Sequence, residues 1–184
     1  SGTAYLDFAN GIAVTALGHG HPKVNAAIHA QVDRIVGPIN AIGFTEPVSR
    51  LAGELAATFP APLDSVLFLN SGSEAIDAAL KLCRRVTGRQ GIIAFRGGFH
   101  GRTFGATSVT TSSLNYRTGY DPLLPGVHIA PYPVAYPDFD GDEEAASAAA
   151  LAALRALFAG VIPPTSVGSI VIEPVLGEGG YNPA

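Results

Sequence analysis

The sequence predicts an α/β fold, a partial doubly wound and mostly parallel sheet. Three observations point there. Short apolar runs alternate with helical patterns along the chain. One run, Gly91-Ile92-Ile93-Ala94-Phe95, is apolar throughout, as a parallel strand buried on both faces should be. And the run Ser65-Val66-Leu67-Phe68-Leu69 turns through Asn70-Ser71-Gly72-Ser73 straight into a helix start, which sets backbone N–H groups at a positive helix end.

Taken in order, Tyr5-Leu6-Asp7-Phe8 and Gly11-Ile12-Ala13-Val14-Thr15 are short strand candidates with a break between them. Gly18-His19-Gly20-His21-Pro22 is a turn. Pro22 suits the first position of a helix over 23–35, where Val24, Ala27, Ile28 and Val32 recur at helical spacing. His19 and His21 invite a zinc reading, but no third ligand is in view and the turn favours a backbone role for the glycines. Residues 37–45 read as a loop. A second amphipathic helix covers 46–59, with Val48, Leu51, Leu55 and Phe59 on one face, and Pro60 and Pro62 end it.

The strand candidate 65–69 then leads into the helix. Ser71 and Glu74 have capping-box spacing. Ile76, Ala79, Leu80 and Cys83 share one face, and Glu74, Asp77, Lys81 and Arg84 the other, with Asp77 and Lys81 spaced as an i,i+4 pair. Taken alone, this is also the pattern of an ordinary capped helix. The strand 91–95 runs into Arg96-Gly97-Gly98-Phe99-His100-Gly101-Arg102-Thr103. Residues 110–126 are polar and irregular, and a loop that long is more often functional or exposed than filler. Val127-His128-Ile129-Ala130 is a strand. An alanine-rich helix over 142–160 follows, with an acidic first turn and a terminal glycine as its cap. A last strand, 167–172, feeds Glu173-Pro174-Val175-Leu176-Gly177-Glu178-Gly179-Gly180.

Composition narrows the classes. In 184 residues, 47% are hydrophobic and 14% charged, a globular and not a disordered balance. A net charge of −4 makes no electrostatic case for nucleic acid. The nearest approach to a membrane span, 145–162, contains Arg155 and follows an acidic cluster, so no membrane association is expected. The first residues lack a basic region followed by an apolar core, so no signal peptide is expected. The single cysteine, Cys83, cannot form an internal disulfide, which fits a cytoplasmic chain. Methionine is absent, and the expectation is an internal segment of something longer, or a processed product.

In doubly wound sheets the ligand sits beyond the carboxyl ends of the strands. Three chemically loaded loops are expected there: 70–73, 99–102 and 173–180. The first offers a phosphate cradle. In the second, Phe99 can stack on a planar ring and Arg102 can hold a carboxylate bidentately. In the third, Glu173 ends an apolar strand, is desolvated and needs a partner, and Glu178 follows among glycines. Taken singly, Phe99 reads more readily as core and Arg102 more readily as half of a surface ion pair. Together, phosphate, flat ring and carboxylate describe pyridoxal phosphate with an amino acid.

The chain resembles the class III (ω-amino-acid) aminotransferases, fold-type I pyridoxal phosphate enzymes, in residues 5–14 with 18–22, 70–84, 99–103 and 172–180. Asn115-Tyr116-Arg117-Thr118-Gly119-Tyr120 with Pro122-Leu123 and Pro125-Gly126 is most similar to the 4-aminobutyrate branch. The resemblance implies that residues 1–37 are part of the small N-terminal domain segment, and 38–184 the first half of the cofactor-binding large domain. It implies pyridoxal 5′-phosphate as cofactor, with Gly72 and Ser73 on its phosphate, Phe99 stacked on its ring and Glu173 nearby. Arg102 would bind the substrate carboxylate, Glu178 would act as a gate, and Ile12 would line the substrate pocket. Arg102 also argues against the related aminomutases and dialkylglycine decarboxylases. The substrates implied are an ω-amino acid and a 2-oxo acid such as 2-oxoglutarate, in a homodimer with its active site at the interface.

The family's Schiff-base lysine is not matched. Lys23 follows a proline at a helix start, and Lys81 lies on the polar side of a helix. No catalytic residue is therefore expected in this segment, and alone it is expected to be inactive. Acetylornithine and other ω-amino-acid aminotransferases stay open as alternatives, as does a non-catalytic cofactor-binding module. A dinucleotide-binding domain is disfavoured, because no G-x-G-x-x-G is present and no Walker lysine follows Gly72.

Overall fold

The computed structural model describes residues 2–37, 39 and 42–184. The chain divides into two compact units, Ser1–Val66 and Leu67–Ala184.

The first unit contains α1 (Asn10–Ala13), α2 (Pro22–Val32) and α3 (Glu46–Ala56). The two strands expected at its start are absent. The Asp7 carboxylate accepts hydrogen bonds from the N–H groups of Ala9 (2.8 Å) and Asn10 (2.9 Å) and turns the chain. Asn10, Gly11, Ile12 and Ala13 then all take positive φ, a left-handed turn that no strand accommodates. Residues 5–8 have no ladder partner among the described residues, and without one a strand's backbone groups go unpaired. Helix α2 begins with its proline and ends at Val32, before residue 35. Helix α3 ends at Ala56, where Thr58 turns back to donate its hydroxyl to the Leu55 carbonyl (2.7 Å). Of the loop expected over 37–45, Pro38, Asn40 and Ala41 lie outside the described residues, and the rest is irregular.

The second unit is built on a three-stranded parallel sheet in the order β2-β1-β3. The strands are β1 (Gly91–Phe95), β2 (Val127–Ala130) and β3 (Val167–Val171). Its helices are α4 (Gly72–Thr87), α5 (Phe104–Val109) and α6 (Glu143–Gly160). Every residue of β1 is buried. Successive side chains of a strand point to opposite faces. Ile92 and Ala94 pack with Leu80 of α4 and Val109 of α5. Ile93 and Phe95 pack with Ala130, Tyr132 and Leu176, against Leu154, Leu157 and Phe158 of α6. Helices thus cover both faces of the central strand, the doubly wound arrangement expected.

Several details differ from expectation. Residues 65–69 form no strand: Leu67 is 73% exposed and nothing among the described residues pairs with the run. The buried stripe of α4 is rotated toward Ser73, Ile76, Asp77, Leu80, Cys83 and Arg84, while Ala79 is exposed. The two charged groups on that stripe have partners from neighbouring loops. Asp77 accepts from the Thr103 hydroxyl instead of pairing with Lys81. Arg84 donates to the carbonyls of Gln90 (3.0 Å) and Pro125 (2.7 Å). Asp142 caps α6 through the Ala145 N–H (2.9 Å), but the helix closes at Val161 and not on a left-handed Gly160. The left-handed glycine cap belongs to Gly88, after α4 (φ 69°). Helix α5 and a two-residue antiparallel pair, β4 (Val175–Leu176) with β5 (Asn182–Pro183), were not legible in the sequence. Among the described residues no helix is long and apolar enough to cross a membrane.

Candidate functional site

The three loaded loops meet in the second unit. The carboxyl end of β1 opens into 96–103, and that of β3 into 172–180. Ser73, in the first turn of α4, joins the first loop to the second. Its hydroxyl oxygen accepts from the Arg102 N–H (3.1 Å), and its carbonyl accepts from the Thr103 hydroxyl (3.3 Å). The approach is close enough to require glycine at 101. A Cβ there would stand 2.2 Å from Ser73 Oγ and 2.9 Å from its Cα, and φ is +123°. Glu173 joins the second loop to the third. Its carboxylate accepts from the N–H of Phe99 (2.7 Å) and of Gly177 (3.0 Å), so the desolvated glutamate has the partners its position demands.

At the start of α4, the Ser71 hydroxyl accepts from the Glu74 N–H (3.2 Å). Glu74 reaches back one residue further than in a standard capping box, to the backbone N–H (2.7 Å) and side-chain amide (3.0 Å) of Asn70. The N–H groups of Gly72 and Ser73 have no acceptor among the described residues, and a Cβ added at Gly72 would meet nothing within 4 Å. Two orphan donors thus stand at a positive helix end.

Phe99 is half-buried and sits outside the buried core clusters. Its ring meets Tyr116 edge-on, centroids 5.2 Å apart at 64°. Arg102 makes no ion pair among the described residues. It lines a pocket of about 280 Å³ with Phe104, Thr107, Asn115, Tyr116 and Tyr120. The surface ion-pair reading of Arg102 therefore fails. Glu178 is exposed and accepts from the hydroxyls of Ser112 (3.1 Å) and Tyr116 (2.7 Å). That hydrogen bond first, then burial and the Glu178 charge, push the Tyr116 phenol above its usual range against the opposing pull of Arg102, so it stays a donor. Ile12 lies in the first unit, in the left-handed turn, and is 86% exposed.

Three contributors were assigned no role from sequence. His100 is buried beside Phe99, and its Nε2 has no hydrogen-bond partner among the described residues. Burial pushes its imidazole below the usual range, with Glu173 opposing. Arg117 donates to the carbonyls of Thr107 (3.2 Å), Ser108 (3.1 Å) and Thr110 (2.8 Å), closing α5 with a cation. Tyr116 joins Phe99 to Glu178. The length of the loop 110–126 and the similarity of 115–120 to the 4-aminobutyrate branch pointed to the segment but not to this contact. Among the described residues no cluster of His, Cys, Asp or Glu could hold a metal. A cavity of about 630 Å³ on the α6 side is bordered by Leu176 and Gly179 of the third loop but by none of Gly72, Ser73, Phe99, Arg102, Glu173 and Glu178.

The family model "Aminotransferase class-III" matches residues 1–184. The probable 4-aminobutyrate aminotransferase of Bacillus subtilis is 35% identical over 182 residues, 98% of this chain and 42% of its own. An (S)-enantioselective ω-transaminase from Thermomicrobium roseum superposes with a TM-score of 0.88 at 28% identity, over 97% of this chain and 41% of that one. The taurine:2-oxoglutarate aminotransferase of Bifidobacterium kashiwanohense, solved with pyridoxal phosphate (PLP) and glutamate, gives 0.84 at 29%, over 94% and 39%. The chain thus spans about two-fifths of the length of the proteins it matches. With the family match covering its whole length, the chain belongs to the class III aminotransferases.

Proposed function

We propose that the full-length protein moves an amino group from an ω-amino acid, 4-aminobutyrate or a close homologue, to a 2-oxo acid such as 2-oxoglutarate, with pyridoxal 5′-phosphate as cofactor. One observation carries the reading: the Arg102 guanidinium, unpaired among the described residues, borders a pocket, and the loop that carries it is pinned to the hydroxyl and carbonyl of Ser73, in the first turn of α4 where the N–H groups of Gly72 and Ser73 stand without acceptors. The relatives support it. The Bacillus protein is named for 4-aminobutyrate, and the Bifidobacterium structure pairs the cofactor with glutamate.

The residues present fit the cofactor. Gly72 and Ser73 would hold its phosphate through two backbone N–H groups at a helix start, where an anion is favoured. Phe99 would lie on its ring, held in place by the Glu173 carboxylate through its own N–H. Bound there, the group supplies an electron sink for the charge left when the substrate carbon loses its proton. Arg102 binds the substrate carboxylate and sets the distance from that carboxylate to the reacting amine. Glu178 remains the gate in this reading, held by two hydroxyls. Ile12, from the small-domain segment 1–37, would line the substrate pocket, and 38–184 supply the first half of the cofactor domain. The lysine that acts as base then belongs to the remainder of the longer protein, and the assembly is a cytoplasmic homodimer.

The test is steady-state kinetics on the full-length protein. Arg102→Ala should raise KM for 4-aminobutyrate about a hundredfold or more, since two hydrogen bonds to a charged group are lost at about 1.5–3 kcal/mol each. An unchanged KM, or an alkylamine without a carboxylate serving as well as 4-aminobutyrate, would overturn the reading.

A further inference from the structure

The Glu173 side chain joins two loops of the site, and its own backbone is held by a third part of the fold. Glu173 and Pro174 follow β3 and lie outside any strand, so no ladder fixes them. Among the described residues no backbone N–H donates to the Glu173 carbonyl. The Tyr132 hydroxyl does, at 2.9 Å. The carbonyls of Pro174 (3.2 Å) and Asn182 (3.4 Å) converge on the same hydroxyl. A phenol has one proton to give, and the Glu173 carbonyl is the nearest acceptor. The Pro174 carbonyl has a second donor in the Ala184 N–H (3.0 Å), whereas that of Glu173 depends on the tyrosine. The tyrosine is a fixed post. It is 7% exposed, packs in the core with Phe95 and Leu176, and meets the Phe95 ring edge-on, centroids 6.4 Å apart at 87°.

We propose that Tyr132 is a positioning residue for cofactor binding: its hydroxyl fixes the backbone of Glu173, and the Glu173 carboxylate passes that placement to the N–H groups of Phe99 (2.7 Å) and Gly177 (3.0 Å). This rests on the proposed seat of the cofactor ring on Phe99. It adds that the seat is held from the α6 side of the sheet, by a hydroxyl that need not touch the ligand.

The test reads amide exchange and cofactor affinity on the full-length protein, not turnover. Tyr132→Phe keeps the ring in the core and removes only the hydroxyl. Without cofactor, it should speed exchange at the Phe99 and Gly177 amides about tenfold and leave the Ala94 amide of β1 unchanged. In equilibrium titration it should weaken pyridoxal phosphate about fivefold. Ile93→Val takes a methyl from the same core cluster without touching the Glu173 carbonyl, and should leave both readings within about twofold of the wild type. In a Glu173→Gln background one of the two N–H groups meets an amide NH2 instead of an oxygen. The link is then already weakened, and Tyr132→Phe should change the affinity less than about twofold. If Tyr132→Phe leaves either exchange or affinity as in the wild type, if Ile93→Val matches its effect, or if its loss persists in full in Glu173→Gln, the inference is overturned while the role of Phe99 stands. If Phe99→Ala binds pyridoxal phosphate as tightly as the wild type, the role of Phe99 fails and the inference falls with it.

Discussion

The two units answer the same kind of sequence pattern differently. Helices α2 and α3 show periodic apolar positions, yet no described residue of the first unit is buried, and Val24, Ile28, Val32 and Leu51 are 42–59% exposed. The second unit holds the whole buried core, with Ile92, Ile93, Ala94 and Val109 at 0% exposure. The side-chain ion pairs differ too. Arg34–Glu46 and Arg50–Glu54 of the first unit are exposed pairs of the sort that contribute little. In the second unit, Glu173 and Arg117 spend their charges on backbone groups and fix loops. An apolar period says which side of a helix can be covered. Only a neighbouring element, here β1, decides that it is.

The sharpest break of that contrast is at the loop junction. Gly101→Ala forces a side chain against the Ser73 backbone at a φ only glycine favours. Strain and overpacking together should cost about 4 kcal/mol, seen in denaturant unfolding of the full-length protein, with cofactor affinity lost in parallel. Next comes the core. Ile93→Ala should cost about 3 kcal/mol, and Leu51→Ala, 46% exposed, less than about 1 kcal/mol. Equal losses at the two sites would erase the distinction between the units. Glu173→Gln keeps the shape but weakens two charge-assisted hydrogen bonds, at about 2 kcal/mol, and should loosen 97–100 in hydrogen exchange at the Phe99 amide. The smallest effect is a pH slope. The His100 pKa is lowered by burial, so the unfolded chain takes up its proton first as pH falls. Its contribution to stability is therefore complete above the ordinary histidine range near 6.5 and lost as pH drops through the lowered folded value. His100→Gln should flatten the acid side of the stability curve below about pH 6.5.

The second unit was more legible in the sequence than the first, for physical reasons. The strand 91–95 could be read from composition because a strand buried on both faces has no polar position to confuse it. The helix start at Ser71 could be read from its cap. The runs 5–8 and 65–69 have equally good strand chemistry and no ladder partner, and pairing cannot be seen in a single segment. Asp77 was placed on the polar face because the hydroxyl it accepts from, Thr103, lies 26 residues along the chain. The same distance in sequence hid Tyr116, whose partner Glu178 is 62 residues away. Glu173, whose partner Phe99 is 74 residues away, could be singled out because a glutamate ending an apolar strand demands a partner, whereas nothing local to Asp77 or Tyr116 announces theirs.

The phosphate site proposed at the start of α4 depends on backbone donors, and Gly72→Pro removes one of them. Proline is favoured at the first helical position, the extended Ser71 before it (φ −152°, ψ 160°) tolerates it, and nothing stands within 4 Å of the site. The substitution therefore removes one N–H donor and spares the helix. On the full-length protein, equilibrium titration should show pyridoxal phosphate bound at least tenfold more weakly, with pyridoxal, which lacks the phosphate, and the melting temperature little changed. Undiminished affinity for pyridoxal phosphate, or an equal loss for pyridoxal, would contradict the account.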